Sequence, residues 1–203
     1  MKIRKESKKD YFEVENVTRE AFWNVYRPGC FEHFVIHKLR TDEDFVKELD
    51  YIIEEDGKII SNIVYALGRI KKDNGKVEKV LIFGPVSVLP DYQKKGYGKA
   101  IINYTLKRAE KLGYAGVFIV GNPDYYKKYG FVPASKYGIF YEGMDKNEEA
   151  PFFMVKVFDE SKIKKLKGVY SDPVCYKVDQ KEVDDFDKNF CKKRKLKRPG
   201  QLG

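Results

Sequence analysis

Seven consecutive residues, Gln93-Lys94-Lys95-Gly96-Tyr97-Gly98-Lys99, set two glycines and three lysines between a β-branched run and an amphipathic stretch. At such a strand-to-helix junction, backbone N–H groups and the positive helix end can hold a phosphate. Two general phosphate motifs fail here. The dinucleotide fingerprint GxGxxG needs a third glycine at 101, where this chain has Ile101. A P-loop needs a glycine at 93 and a hydroxyl at 100, and the chain offers Gln93 and Ala100. Two further groups could carry chemistry. Asn122 precedes Tyr125-Tyr126-Lys127-Lys128-Tyr129-Gly130-Phe131, with three phenols, and Cys30, His33 and His37 put a thiol and two imidazoles at helical spacing. His33 and His37 share a helix face, but no Glu follows His33 to complete HExxH and no fourth ligand is evident, so no metal is expected.

The elements that must position these residues follow from periodicity and punctuation. Lys2 to Arg4 reads as an opening strand, and a helix starts near Ser7 or Asp10 and runs towards Trp23. A second helical stretch spans Phe31 to Leu39. Tyr51–Glu55, Asp56-Gly57 and Ile59–Leu67 read as a hairpin, and Asp73-Asn74-Gly75 turns into a third strand, Val77 to Leu89. Gly84-Pro85 interrupts that strand, because proline has no N–H to give the ladder. After the glycine loop comes a helix with Ile101, Ile102, Thr105, Ala109 and Leu112 on one face, then a strand at Val117–Val120 and a short helix at Tyr125–Tyr129. Phe131–Pro133 and Phe152–Phe158 are strand candidates. Ser161–Gly168 reads as a linker, Val169–Val178 and Glu182–Phe190 as one more strand and helix, and the last dozen residues as disordered. The order indicates an α/β fold with a mixed sheet.

Gln93, Gly96 and Gly98 fill the Q/R-x-x-G-x-G/A signature of the GNAT superfamily, the Gcn5-related N-acetyltransferases, which this chain resembles over roughly residues 1 to 158. Gly84 to Pro90 resembles that family's bulged fourth strand, Asn122 and the Tyr-x-x-x-Gly-Phe segment resemble its counterpart, and the wording is nearest to the YhbS-like branch of predicted acetyltransferases. The resemblance implies a mostly antiparallel central sheet with a splayed fourth strand and flanking helices, in an N-acetyltransferase domain at 1–158, plus a C-terminal extension at 159–203 ending in a basic, flexible tail. It implies acetyl-CoA as cofactor, with the amides around Gly96, Tyr97 and Gly98 and the charges of Lys94, Lys95 and Lys99 near the diphosphate. The backbones of Val86 and Val88 would pair with the pantetheine arm, and Asn122 would bond its far side. Tyr126, five residues before Phe131, would be the general acid for the departing thiolate. The helical region of Cys30, His33 and His37 would help wall the acceptor site, so these histidines would line or flank the substrate cleft or face solvent. The matching strand stretch, Leu81 to Pro85, holds no titratable side chain, so deprotonation of the amine would run through water.

Composition bounds the alternatives. At 203 residues, 42% hydrophobic and 15% aromatic, the chain is globular, with no apolar run long enough for a membrane span and no apolar leader; a cytoplasmic protein is expected. Three separated cysteines make neither a disulfide framework nor a CxxC knuckle. Of 40 basic residues, seven lie between Lys188 and Gly203 with no acidic one, so the +9 net charge belongs mostly to the tail. A tail without interleaved aromatics, on a nearly neutral body, is a poor nucleic-acid platform. The expected partner is an amine, small or peptidic, and the extension could serve a homodimer. A non-catalytic CoA or acyl-CoA sensor and a transferase for a longer acyl group remain as alternatives.

Overall fold

Asp-Gly turns, β-branched runs and helix-breaking glycines punctuate the chain much as its sequence suggests in the computed structural model, which describes residues 1–146 and 148–201. The elements are β1 (Lys2–Lys5), α1 (Tyr11–Phe22), α2 (Glu32–Leu39), β2 (Tyr51–Glu55), β3 (Lys58–Lys72), β4 (Val77–Val88), α3 (Tyr97–Lys111), β5 (Gly116–Val120), α4 (Pro123–Tyr126), β6 (Val132–Pro133), β7 (Ile139–Tyr141), β8 (Phe153–Val157), α5 (Glu160–Ile163), β9 (Gly168–Ser171) and α6 (Gln180–Asp187). The sheet order is β1-β2-β3-β4-β5-β8-β6, with β9 pairing with β3 and β7. The β4/β5 and β7/β9 pairs are parallel. The pairs β1/β2, β2/β3, β3/β9, β5/β8 and β6/β8 are antiparallel, so the sheet is mixed and mostly antiparallel, as expected. No helix among the described residues is long and apolar enough to cross a membrane.

The chain falls into two compact units, and residues 159–203 are divided between them. The first comprises Met1–Val64, Pro85–Ile102 and Val174–Gly203. Here Asp56 and Gly57, at φ +49° and +78°, make the tight turn that pairs β2 with β3. Ile52, Ile53, Ile59, Ile60 and Ile63 are buried together with Val14 and Val17 of α1. The C-terminal segment is not the free tail that its lysines suggest. Trp23 Nε1 and Asn24 Nδ2 donate to the Arg194 carbonyl at 3.1 and 3.0 Å, and Leu196 N–H donates to Asn24 Oδ1 at 2.9 Å. Lys193 pairs with Glu20 at 2.7 Å, and Lys195 pairs with Asp184. The charge run hid the contacts of Arg194 and Leu196 because their backbone groups make them, and side-chain type does not encode a backbone group's partner.

The second unit comprises Tyr65–Gly84 and Asn103–Pro173. Its core is aromatic: Phe118 stacks on Phe153 at 5.5 Å and on Tyr170 at 5.8 Å, and Phe153 meets Tyr170 at 4.7 Å. β4 pairs with β5 only at Leu81–Val117 and Ile82–Phe118, while β5 continues beside β8 to Val120. The parallel pairing thus stops just before Gly84, which takes a φ of +148°. The sequence reading lacked β7, and it took the ground now occupied by α5 as linker.

Candidate functional site

Three features shape the loop of the first unit. Gln93 Nε2 donates to the Val88 carbonyl at 3.1 Å, tying the loop to the end of β4. Lys94 and Gly96 then take φ values of +61° and +93°. α3 begins at Tyr97, and its first bond runs from Ala100 N–H to the Gly96 carbonyl at 2.9 Å. The N–H groups of Tyr97, Gly98 and Lys99 precede that bond, so helix geometry points them out of the N-terminus, where the dipole is positive. No atom lies within 4 Å of where a Cβ at Gly96 would stand. The loop therefore offers the first N–H groups of a helix beside open space at Gly96, an arrangement that fits a diphosphate.

The side chains divide. Lys94, Lys95 and Lys99 are exposed. Tyr97 donates its phenol to Glu55 Oε1 at 3.3 Å, and its pKa is raised by desolvation and by that carboxylate. Val86 and Val88 are half-buried, and Ser87 between them points inward. Ser61 Oγ donates to the Ser87 carbonyl at 2.6 Å, Ser87 Oγ to Thr18 Oγ1 at 3.0 Å, and Thr18 Oγ1 to Asn62 Oδ1 at 3.1 Å. This buried polar chain fixes the backbone on which Val86 and Val88 sit. Sequence reasoning missed it, although a serine inside an apolar Val-Ser-Val run was a signal.

In the second unit the three tyrosines separate by burial. Tyr126 is 8% exposed and packs edge-on against Phe83 and Phe131, each at 5.8 Å. A Cβ at Gly121 would meet the Tyr126 ring at 2.5 Å, so glycine there lets the ring seat. Tyr125 is 38% exposed, with Lys128 Nζ 3.9 Å over its ring. Tyr129 donates its hydroxyl to that of Tyr125 at 3.3 Å, and burial pushes its pKa up. Asn122 caps α4, its Oδ1 accepting from Asp124 N–H at 2.9 Å. That leaves the Asn122 amide NH2, on an exposed residue, as its donor group.

His33 corrects the sequence reading, whereas His37 is exposed as that reading allows. His33 is fully buried, so it neither flanks a cleft nor faces solvent. Its Nδ1 lies 3.3 Å from Cys30 Sγ, and its Nε2 lies 3.3 Å from Asp187 Oδ1 with no hydrogen bond aligned across that gap. A thiol, an imidazole and a carboxylate in series have the order of a nucleophile, base and orienter. Burial silences them. It pushes the Cys30 thiol well above its usual range and lowers His33 to about 4, and Asp187 is taken by Arg19 Nε at 2.6 Å. His37 bonds Glu15 Oε1 at 3.0 Å. Among the described residues no group of three or more His, Cys, Asp or Glu could hold a metal.

Known proteins agree with the loop and the sheet. Residues 47–133 match the profile described as an acetyltransferase (GNAT) domain. The Escherichia coli protein described as uncharacterized N-acetyltransferase YjhQ is 27% identical over 103 residues, 50% of this chain and 55% of that one. The matched stretch thus spans just over half of that relative's length. A GNAT family acetyltransferase from Brucella melitensis, solved in complex with acetyl-CoA, superimposes with a TM-score of 0.68 at 25% identity, covering 87% of this chain and 97% of its own. Escherichia coli YhbS, solved with CoA, gives 0.73 at 19% identity over 86% and 91% of the two chains, a likeness of fold. Over residues 47–133, then, this chain is similar to the acetyltransferase domains of the GNAT superfamily, and its fold is like theirs.

Proposed function

We propose that the protein transfers an acetyl group from acetyl-CoA to a primary amine, small or peptidic, in the cytoplasm. The observation that carries this is the backbone of the 93–99 loop. Positive φ at Lys94 and Gly96 delivers three amides at the N-terminus of α3 to one open place. A GNAT relative with 25% identity was solved with acetyl-CoA, which supports the same ligand.

Acetyl-CoA supplies an activated acyl carbon: the amine bonds to the thioester carbonyl carbon, the carbon–sulfur bond breaks, and the sulfur leaves as a thiolate that takes up a proton. The chain's own residues do the rest. The amides of Tyr97, Gly98 and Lys99 neutralise the diphosphate, and Lys94, Lys95 and Lys99 add charge beside it. The Val86 and Val88 backbones, held by the Ser87 chain, pair with the extended arm. Asn122 gives its NH2 to the same arm. Leu81 to Pro85 offer no titratable side chain, so water removes the proton from the amine, whose ordinary pKa is about 10. The Tyr126 hydroxyl returns a proton to the sulfur.

Thiol release from acetyl-CoA across a panel of polyamines, aminoglycosides, amino acids and peptides tests the proposal. Turnover with an amine supports it, and acetyl-CoA binding without turnover of any amine would turn the reading to a sensor. Tyr126→Phe should lower kcat about a hundredfold with acetyl-CoA affinity kept. An unchanged rate removes Tyr126 from the mechanism.

A further inference from the structure

A cavity of about 570 Å³ in the second unit is lined by Asp73, Lys136, Tyr137, Gly138, Phe140, Lys146, Lys164 and Lys167. None of the residues assigned above to acetyl-CoA lines it. Four ammonium groups face it against one lining carboxylate. Lys146 lies 3.6 Å from Asp73, and Lys164 lies 2.8 Å from Glu160. Lys136 and Lys167 have no ion-pair partner among the described residues.

The walls are built rather than incidental. Gly168 N–H donates to the Gly138 carbonyl at 3.0 Å, joining the strand start at β9 to the turn before β7. That bond lays the Lys167 stem along Gly138, 3.3 Å from where a Cβ would stand. Tyr137 donates its hydroxyl to Glu160 Oε1 at 2.9 Å, which fixes the ring at the rim, and Lys146 Nζ lies 5.8 Å from the Phe140 ring centre.

We propose that this pocket is a second ligand site, one that takes a small polyphosphate. Lys136 and Lys167, without an ion pair among the described residues, together with Lys146 at 3.6 Å from Asp73 and the exposed Lys164–Glu160 pair, match a ligand carrying several negative charges, since lysine serves phosphate as a mobile point charge. A volume in the range of small-molecule sites suits a ligand of nucleotide size rather than an extended polymer. The same charges would repel a cationic amine, so the pocket does not serve as the acceptor site. The inference stands apart from the acetyl-transfer reading.

Calorimetric titration at low salt tests it, with inorganic tripolyphosphate and ATP as probes on the full chain. Two double variants carry the same change of net charge: Lys136→Glu with Lys167→Glu in the pocket, and Lys94→Glu with Lys99→Glu in the loop. The pocket pair should weaken tripolyphosphate binding at least tenfold, and by more than the loop pair does, and should leave the thermal shift with acetyl-CoA intact. Equal loss of both probes assigns the site to the phosphate chain, and binding of ATP alone assigns it to a nucleotide; both support the proposal. No binding to the unaltered protein at millimolar probe overturns it, as does a loop pair that loses as much as the pocket pair.

Discussion

The 93–99 loop and the Cys30–His33–Asp187 series, both in the first unit, hold opposite lessons about residue types and chemistry. The loop's assets are exposed amides, a positive helix end and an open place at Gly96. The series has the residue types of a nucleophilic site at contact distances, 3.3 Å on each side of the imidazole. Burial reverses what those types could do, because a desolvated thiol holds its proton and a desolvated imidazole refuses a second one. Around that series Arg19 bonds both Asp187 and the Cys191 carbonyl, and Phe186 and Phe190 pack on His33, which makes it an anchor for the C-terminal segment.

Removing the anchor's charge should give the largest effect on stability. Asp187→Ala leaves the Arg19 guanidinium, 1% exposed, without its carboxylate, and should destabilise by about 3–5 kcal/mol, lowering Tm by roughly 10 °C. Asp187→Asn keeps an acceptor and should lose less. If the series were catalytic instead, Asp187→Asn would abolish turnover without moving Tm.

Acid should expose the same anchor. His33 sits at about 4 when folded against about 6.5 when unfolded, so the unfolded chain binds the extra proton between those values. The His33 contribution to stability should therefore fall as pH drops from about 6.5 towards 4, read by denaturant midpoints in Asp50→Asn, where no opposing titration offsets it. Asp50 acts the other way. Burial, then Glu6, raises it to about 9, so its contribution is full below about 4 and is lost as pH rises through 9. Asp50→Asn should remove the alkaline part of the dependence and leave the acid part.

The smallest effect is on reactivity. Cys191 is exposed, while Cys30 and Cys175 are buried and burial pushes the Cys175 thiol up to about 12. A thiol reagent at pH 8 should label Cys191 rapidly and the other two only on unfolding. Fast labelling of Cys30 would restore it as a candidate nucleophile.

What could be read from the sequence was what backbone geometry writes into residue type. Gly96 and Gln93 stand where a turn and a tie to β4 demand them, and Asp56-Gly57 marks its hairpin. Lys94 was opaque, because a lysine gives no hint of a φ of +61°. Tyr126 was one of three neighbouring phenols until burial set it apart from Tyr125. β7 and β9, of three and four residues, are too short for a periodic signal; β7 was not seen and β9 only as part of a longer run. Contacts such as Trp23 to Arg194 join residues 171 apart, which no local pattern records.

Calorimetric binding of acetyl-CoA to the unaltered protein and to Gly96→Val tests the loop most directly, with NADH and ATP as controls. A branched side chain at a φ of +93° blocks the open place and opposes the turn. The account predicts saturable binding of acetyl-CoA by the unaltered chain, weakened about a hundredfold or more by Gly96→Val while the variant stays folded. Equal affinity in the two proteins, or binding shared equally with NADH and ATP, would contradict it.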